Sequence, residues 1–374
     1  MCRWRLWAAL LLTVPAAAAH AQDETNGVPA GLLNRLKTGV NITRWFCYHE
    51  DPNDTDHFTH YLKPEDFRTF TRLKLGFVRL CISPEIGFDA STGQRTQSQP
   101  MIDSGVRRLR GGNLAVLYDL HDNGQLKLDQ AGGDKRAFVN FWEVTARHFK
   151  GQNEGLLVFE LLNEPQFLKN PADWYALQEQ TVQAIRAIDP SRTIVVTGTG
   201  WGGIDTLAKM TPLPQTNLVY SYHCYDPFFF THQGATWAGE QVKHFKSMPF
   251  PSSPEAVTAM LDKIEPAYQG DAKWYGEQRY DEAYLKGRLN VAEAWGHANH
   301  VPVVLGEFGA FPPVSPPESR ARWFGAMRRI RTEMHVRSCL WGYDDGFGLG
   351  RTVGADGTIQ LDKLVMKEFF GVGG

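Results

Sequence analysis

The sequence predicts an α/β protein, a (β/α)8 barrel with a long insertion between its sixth and seventh strands. Two observations predict it. Short runs that are apolar at nearly every position recur eight times in the 374 residues, as strands buried on both faces of a parallel sheet require. Helical patterns separate them, and eightfold alternation of strand and helix closes most simply into a barrel.

The runs are 39–42, 77–80, 115–120, 157–162, 193–197, 218–222, 301–305 and 338–342. Helices between them have readable starts. Pro64-Glu65-Asp66 opens one with acids in its first turn. Residues 134–149 place Phe138, Phe141, Trp142, Thr145 and Phe149 along one face. Asn170-Pro171 supplies an N-cap and a first-turn proline, and Ser315-Pro316-Pro317-Glu318 fits a capping box. The stretch 226–300 breaks the alternation. It holds Pro227, the run Phe228-Phe229-Phe230, Trp237, Trp274 and Trp295, and reads as an insertion with its own helices.

Composition narrows the class. Hydrophobic residues are 43% and charged residues 21%, the mixture of a soluble globular chain. Lys plus Arg number 39 against 41 acids, which argues against a nucleic-acid partner. Residues 1–21 have a basic front (Arg3, Arg5), a short apolar stretch and the small-residue pattern Ala19-His20-Ala21. They read as a signal peptide cut before Gln22, too short to span a bilayer. Its removal takes away two arginines and no acid. The expected mature chain is a monomer, secreted or periplasmic and free of the membrane, with an N-terminal tail at 22–31 and one catalytic domain at 32–374. Export permits disulfides. Cys47, Cys81, Cys224 and Cys339 remain, with three possible pairings; if a bridge forms, Cys47–Cys81 is expected, since both follow early strands at one end of the barrel.

Reacting groups in such barrels sit at the carboxyl ends of strands. The fourth run ends in Asn163-Glu164-Pro165, and the seventh ends in Gly306-Glu307. Two acids at one mouth suit glycoside cleavage: at about 5 to 5.5 Å apart, one donates a proton to the leaving oxygen while the other attacks the sugar. Mutual repulsion and burial would push their pKa values apart.

With these residues in place the chain resembles glycoside hydrolase family 5, the cellulase-containing family of clan A barrels, over 32–370. The matches are Arg79 on the second strand, His121 after the third, Asn163-Glu164 after the fourth and His223-Cys224-Tyr225 after the sixth. Glu307 after the seventh and Trp341 on the eighth complete them. The resemblance implies Glu164 as general acid/base and Glu307 as nucleophile. It implies that Arg79 keeps Glu307 ionised and Tyr225 steadies it. It further implies His223 near Glu164 or the sugar, Asn163 on the 2-hydroxyl, His121 in the floor and Trp341 beneath the ring.

Trp201, which follows the fifth strand, is a further platform candidate, with Trp45, Phe46, Tyr48 and Trp237 for outer subsites. Trp142 and Trp174 fall on helix faces and read as packing. His49, His57 and His60, with nearby acids, match no metal spacing and read as a solvated or substrate-lining loop. No cofactor or metal is expected. The expected substrate is a polysaccharide or oligosaccharide, β-1,4-glucan first. β-1,4-Mannan or another β-glycan is the nearest alternative, and a non-catalytic carbohydrate-binding barrel is the alternative of another class.

Overall fold

The computed structural model describes residues 25–152 and 155–373; the predicted signal segment 1–21 lies outside the described residues. Eight parallel strands form a closed barrel in sequence order: β1 (Thr38–Phe46), β2 (Phe77–Ile82), β3 (Ala115–Leu120), β4 (Leu157–Glu160), β5 (Ile194–Thr197), β6 (Leu218–His223), β7 (Val303–Glu307) and β8 (Ser338–Leu340). β1 pairs with β8 through Gly39 and Cys339, which closes the ring. The predicted runs all fall on strands, and the main differences lie at strand ends. β1 extends to Phe46 because its pairing with β2 resumes at Phe46–Ile82 after an irregularity.

Strand residues alternate between two faces. Val40, Ile42, Val78, Leu80, Val116, Tyr118, Phe159 and Val196 point outward into the layer beneath the helices. Phe77, Leu117, Val158, Val195, Val219, Val304 and Cys339 point inward and form a separate apolar floor. The helix Ala30–Arg35 plugs that floor: Leu32, Leu33 and Leu36, with Val28 ahead of them, pack against these inward side chains. It begins inside the stretch expected to be tail.

One step of two residues up β2 to β6, the inward set turns polar. Phe77 gives way to Arg79, Leu117 to Asp119, Val158 to Glu160, Val195 to Thr197 and Val219 to Ser221, all buried. The barrel is thus a dry plug below and a polar mouth above.

Helices Pro64–Arg72, Gln99–Gly111, Lys135–Phe149, Pro171–Ile188 and Pro317–Met334 surround the sheet. After β5 the helix shrinks to a single turn, Ile204–Leu207. The predicted capping box at Ser315 does not form. The helix there starts at Pro317, with Pro316 as N-cap, and the Ser315 hydroxyl donates to the Phe311 carbonyl at 2.7 Å instead. With Pro316 in the N-cap position, that position has neither a side-chain acceptor nor the N–H that a capping box uses.

The insertion between β6 and β7 contains short helices and ends in the long helix Glu282–Ala298. That helix buries Leu285, Leu289, Ala292 and Trp295, so it also serves as the outer wall of the barrel. From it, Arg288 reaches Asp205 after β5 (2.9 and 3.0 Å) and Asp226 after β6 (2.9 Å).

Leu36 is fully buried in the floor plug. Leu36→Ala should therefore cost about 2–5 kcal/mol of stability in urea unfolding, while the folded fraction keeps its turnover. A loss below about 1 kcal/mol would mean the plug does not hold the barrel.

Candidate active site

The polar mouth is organised around Arg79, whose side chain is fully buried. Nε and Nη2 grip Glu160 at 2.7 and 3.0 Å. Nη1 donates to Asn41 Oδ1 (2.9 Å) and to Glu307 Oε1 (2.7 Å). Nη2 donates to Asn163 Oδ1 (2.8 Å) and stands 3.1 Å from Asp119 Oδ2. Burial alone would favour a neutral guanidinium; Asp119, Glu160 and Glu307 more than offset it and hold the proton in place. Burial pushes the carboxyls upward in turn, Asp119 to about 6, with Arg79 opposing the rise in each.

Glu307 ends β7 with one oxygen on Arg79 and the other accepting from the Tyr225 hydroxyl at 3.0 Å. Its approach requires Gly306. A Cβ there would come within 2.5 Å of Ser221 Oγ and 3.2 Å of His223 Nε2. Glu164 follows β4 and keeps 29% side-chain exposure, against 5% for Glu307. Its Oε1 lies 2.8 Å from His223 Nδ1, and that nitrogen is 3.6 Å from Glu307 Oε2. One oxygen of each acid and a ring nitrogen of His223 all fall within 4.8 Å of one another. Burial raises Glu164 to about 7. Burial also raises Glu307, opposed by His223 and Arg79. His223 is itself lowered by burial and so favours its neutral form.

On the other side, His121 Nδ1 lies 2.8 Å from Asp119 Oδ2 and its Nε2 lies 3.3 Å from Asn163 Nδ2. Its ring stacks on Trp341 at 5.3 Å and 18°. His121, Asn163 and Trp341, together with Glu164, Glu307, His223 and Tyr225, line a cleft of about 650 Å³. Trp201 (47% exposed) and Trp237 (65% exposed) stand on its rim, with Tyr48 beside His121. Trp201 has a left-handed backbone, φ 60°, and its N–H donates to the Pro165 carbonyl, which ties its loop to the exit of β4.

Of the residues singled out from sequence, His121, Asn163, Glu164, Trp201, His223, Tyr225, Glu307 and Trp341 meet in this cleft with Tyr48 and Trp237, and Arg79 lies directly beneath it. Others do not. Trp45 and Phe46 are fully buried and stacked on each other at 4.7 Å, in the layer beneath the helices, so neither can meet a ligand. The Cys47–Cys81 bridge is absent. All four described cysteines are free and buried; Cys47 and Cys81 pack with Trp341 and Phe347 as small apolar groups. His49, His57 and His60 do not converge: His57 pairs with the Arg44 and Trp45 carbonyls, His60 with Asp56, and His49 approaches Glu85. Among the described residues, metal-like groupings occur instead at Cys81–Asp119–His121 and Glu164–His223–Glu307. In both, His and acid are already bonded to each other.

Sequence reasoning missed Asn41, Asp119 and Glu160. The signal was present: Asp119 and Glu160 are lone charges in otherwise apolar runs, two residues beyond an inward apolar side chain.

A parallel eight-stranded barrel with two carboxyls at the ends of β4 and β7, each in a different environment, is the architecture of a glycoside hydrolase. The chain belongs to the cellulase family, glycosyl hydrolase family 5, whose sequence model matches residues 43–346. It is 28% identical to Endoglucanase 3 of Fibrobacter succinogenes over 348 residues, 87% of this chain and 52% of that one. The chain thus spans about half the length of that relative. It is 25% identical to Endoglucanase C of Acetivibrio thermocellus over 318 residues, 82% of this chain and 91% of that one. Among solved structures, Thermotoga maritima Cel5A in complex with cellobiose superposes with a TM-score of 0.71 at 25% identity, covering 92% of this chain and 99% of that one. The same protein in complex with mannotriose gives 0.69 at 25% identity, covering 90% and 98%.

Burial raises the pKa of each of the four thiols. In the native protein a thiol reagent should label Cys47, Cys81, Cys224 and Cys339 only slowly, and all four fully after denaturation without reductant. A Cys47–Cys81 disulfide peptide in the non-reduced digest would contradict the free-thiol structure.

Proposed function

We propose that this protein is an exported, monomeric endo-β-1,4-glucanase that retains anomeric configuration, with Glu164 as acid/base and Glu307 as nucleophile. One observation carries this reading. Two carboxyls share His223 within 4.8 Å, yet only one of them is held by a guanidinium. That spacing goes with the separation of about 5 to 5.5 Å in retaining enzymes and falls short of the roughly 6.5–9.5 Å at which an inverting enzyme seats its attacking water beside the sugar.

In the first step, ionised Glu307 attacks the anomeric carbon while Glu164 passes its proton to the departing glycosidic oxygen. A glycosyl ester on Glu307 results. In the second step, Glu164, now a carboxylate, takes a proton from water, and the water oxygen displaces Glu307 from the same carbon. Arg79 and the Tyr225 hydroxyl stabilise the Glu307 carboxylate before attack and after release. The apolar face of the sugar lies on Trp341. Asn163 sits where it can hydrogen-bond the 2-hydroxyl, a contact that strengthens as charge develops on the ring. Trp201 lies on the Glu164 side of the cleft and so would carry the leaving portion of the chain.

The names of the relatives support glucan, and the two Fibrobacter and Acetivibrio proteins are both endoglucanases by name. The mannotriose complex of Cel5A is the specific observation that favours mannan as the second reading.

Four assays address the proposal. Glu164→Gln and Glu307→Gln should each lower kcat by at least about a hundredfold, and products from a cello-oligosaccharide should appear first as the β-anomer by NMR. Wild-type turnover in either variant, or an α-anomer product, rejects the assignment. Reducing-sugar release should be strong on carboxymethylcellulose and lichenan; activity confined to mannan selects the second reading. Because Glu164 must be protonated and is raised to about 7, kcat/KM should fall as pH rises through about 7. In Glu164→Gln that alkaline limb should disappear when an aryl glycoside with a good leaving group is used.

A further inference from the structure

The hydrogen-bond polarity around His121 is fixed by a single rigid donor. Arg79 can only donate. Its Nη2 lies 2.8 Å from Asn163, so the amide atom it meets is the oxygen, and the amide nitrogen turns the other way. That nitrogen is 3.3 Å from His121 Nε2. An amide nitrogen only donates, so Nε2 must accept. A neutral imidazole with an accepting Nε2 carries its hydrogen on Nδ1. Nδ1 meets Asp119 Oδ2 at 2.8 Å, and the same oxygen returns to Arg79 Nη2 at 3.1 Å. Four groups thus close a ring in which Arg79 donates at both ends, Asn163 and His121 each accept and donate once, and Asp119 accepts twice. Tyr48 is the neighbour that pulls the other way: its hydroxyl, 3.2 Å from Nε2, donates to Asn123 Oδ1 at 2.7 Å and so turns a lone pair to the ring, whereas the Asn163 amide and the Asp119 carboxylate both call for Nδ1–H. Burial lowers His121 to about 4, which keeps the ring neutral under ordinary conditions.

We propose that Asp119 is a positioning residue: it holds His121 in the Nδ1–H tautomer and, through His121, fixes the Asn163 amide so that its second N–H is left for the sugar bound beside Glu164. Asp119 lies beneath the cleft and touches no ligand. Without it, the hydrogen can move to Nε2, where it faces the Asn163 amide nitrogen. Two donors then oppose each other in a buried site, and Asn163 must turn or lose its partner. The inference rests on the active-site reading for its effect on rate, whereas the tautomer itself is independent of any substrate.

The test begins with the wild-type protein labelled with 15N in histidine, the His121 signals being identified by their loss in His121→Gln. Long-range 15N–1H spectra report which ring nitrogen carries the hydrogen. Nδ1–H is expected; Nε2–H overturns the proposal without reference to activity, even where Asp119 variants fail to fold. In Asp119→Ala the His121 signals should move toward Nε2–H. On an aryl β-cellobioside, kcat should fall roughly ten- to a hundredfold with KM changed by less than about threefold, the loss expected for one opposed buried pair. Glutamine at position 121 can accept from Asn163 whatever lies beneath it. In the His121→Gln background, therefore, Asp119→Ala should cost less than about threefold. A full-sized loss there would show that Asp119 acts only through Arg79, and the proposal would fall. Failure of the glucan assignment would change the substrate used and leave the ring-nitrogen spectrum as it is.

Discussion

One buried guanidinium organises the mouth of this barrel. Arg79 reaches two acids deep in the strands, the nucleophile candidate at the rim of β7, and the amides of Asn41 and Asn163. Removing a charge of this size from water costs several kcal/mol even after relaxation, and only near-complete pairing offsets it. Arginine can meet that condition because its planar fork addresses several acceptors at fixed angles; a lysine ammonium on a flexible stem could not reach them together. The same pairing that makes the charge tolerable also makes the two front carboxyls unequal. Glu307 shares the cation, whereas Glu164 has a histidine and the open cleft.

This asymmetry follows from strand geometry. All eight strands run the same way, so their carboxyl ends gather on one face. On β2 to β6 the inward side chains are apolar near the start of the strand and polar two residues later. The floor therefore stays dry and closed by Leu32, Leu33 and Leu36, while every charged inward side chain is lifted to the mouth. Close approach of backbone at Gly306 lets His223 and Glu307 share one small volume.

Much of this was legible in the sequence. Parallel strands buried on both faces leave unbroken apolar runs, and acids directly after such runs can only sit at the mouth, which is how Glu164 and Glu307 were found. Asp119 and Glu160 were passed over because a charge inside a strand reads as an interruption unless its inward neighbour two residues earlier is considered. The misplacement of Trp45 and Phe46 has a similar origin. They follow the first run, where a loop over the mouth was expected, but β1 continues and turns both toward the helices. The four thiols could not be paired from spacing, since proximity at one end of a barrel does not bring two sulfurs to bonding distance.

The insertion after β6 raises a different matter. Its last helix, Glu282–Ala298, is also barrel wall, and Arg288 on that helix clasps the turns that follow both β5 and β6. An element that belongs to two structures at once cannot be excised or transplanted as a cassette. A graft carrying only 226–300 would leave Asp205 behind and open a groove along the recipient's flank. The border that composition draws around this segment is therefore not a border in cohesion: cleft rim and barrel flank must come apart together or not at all.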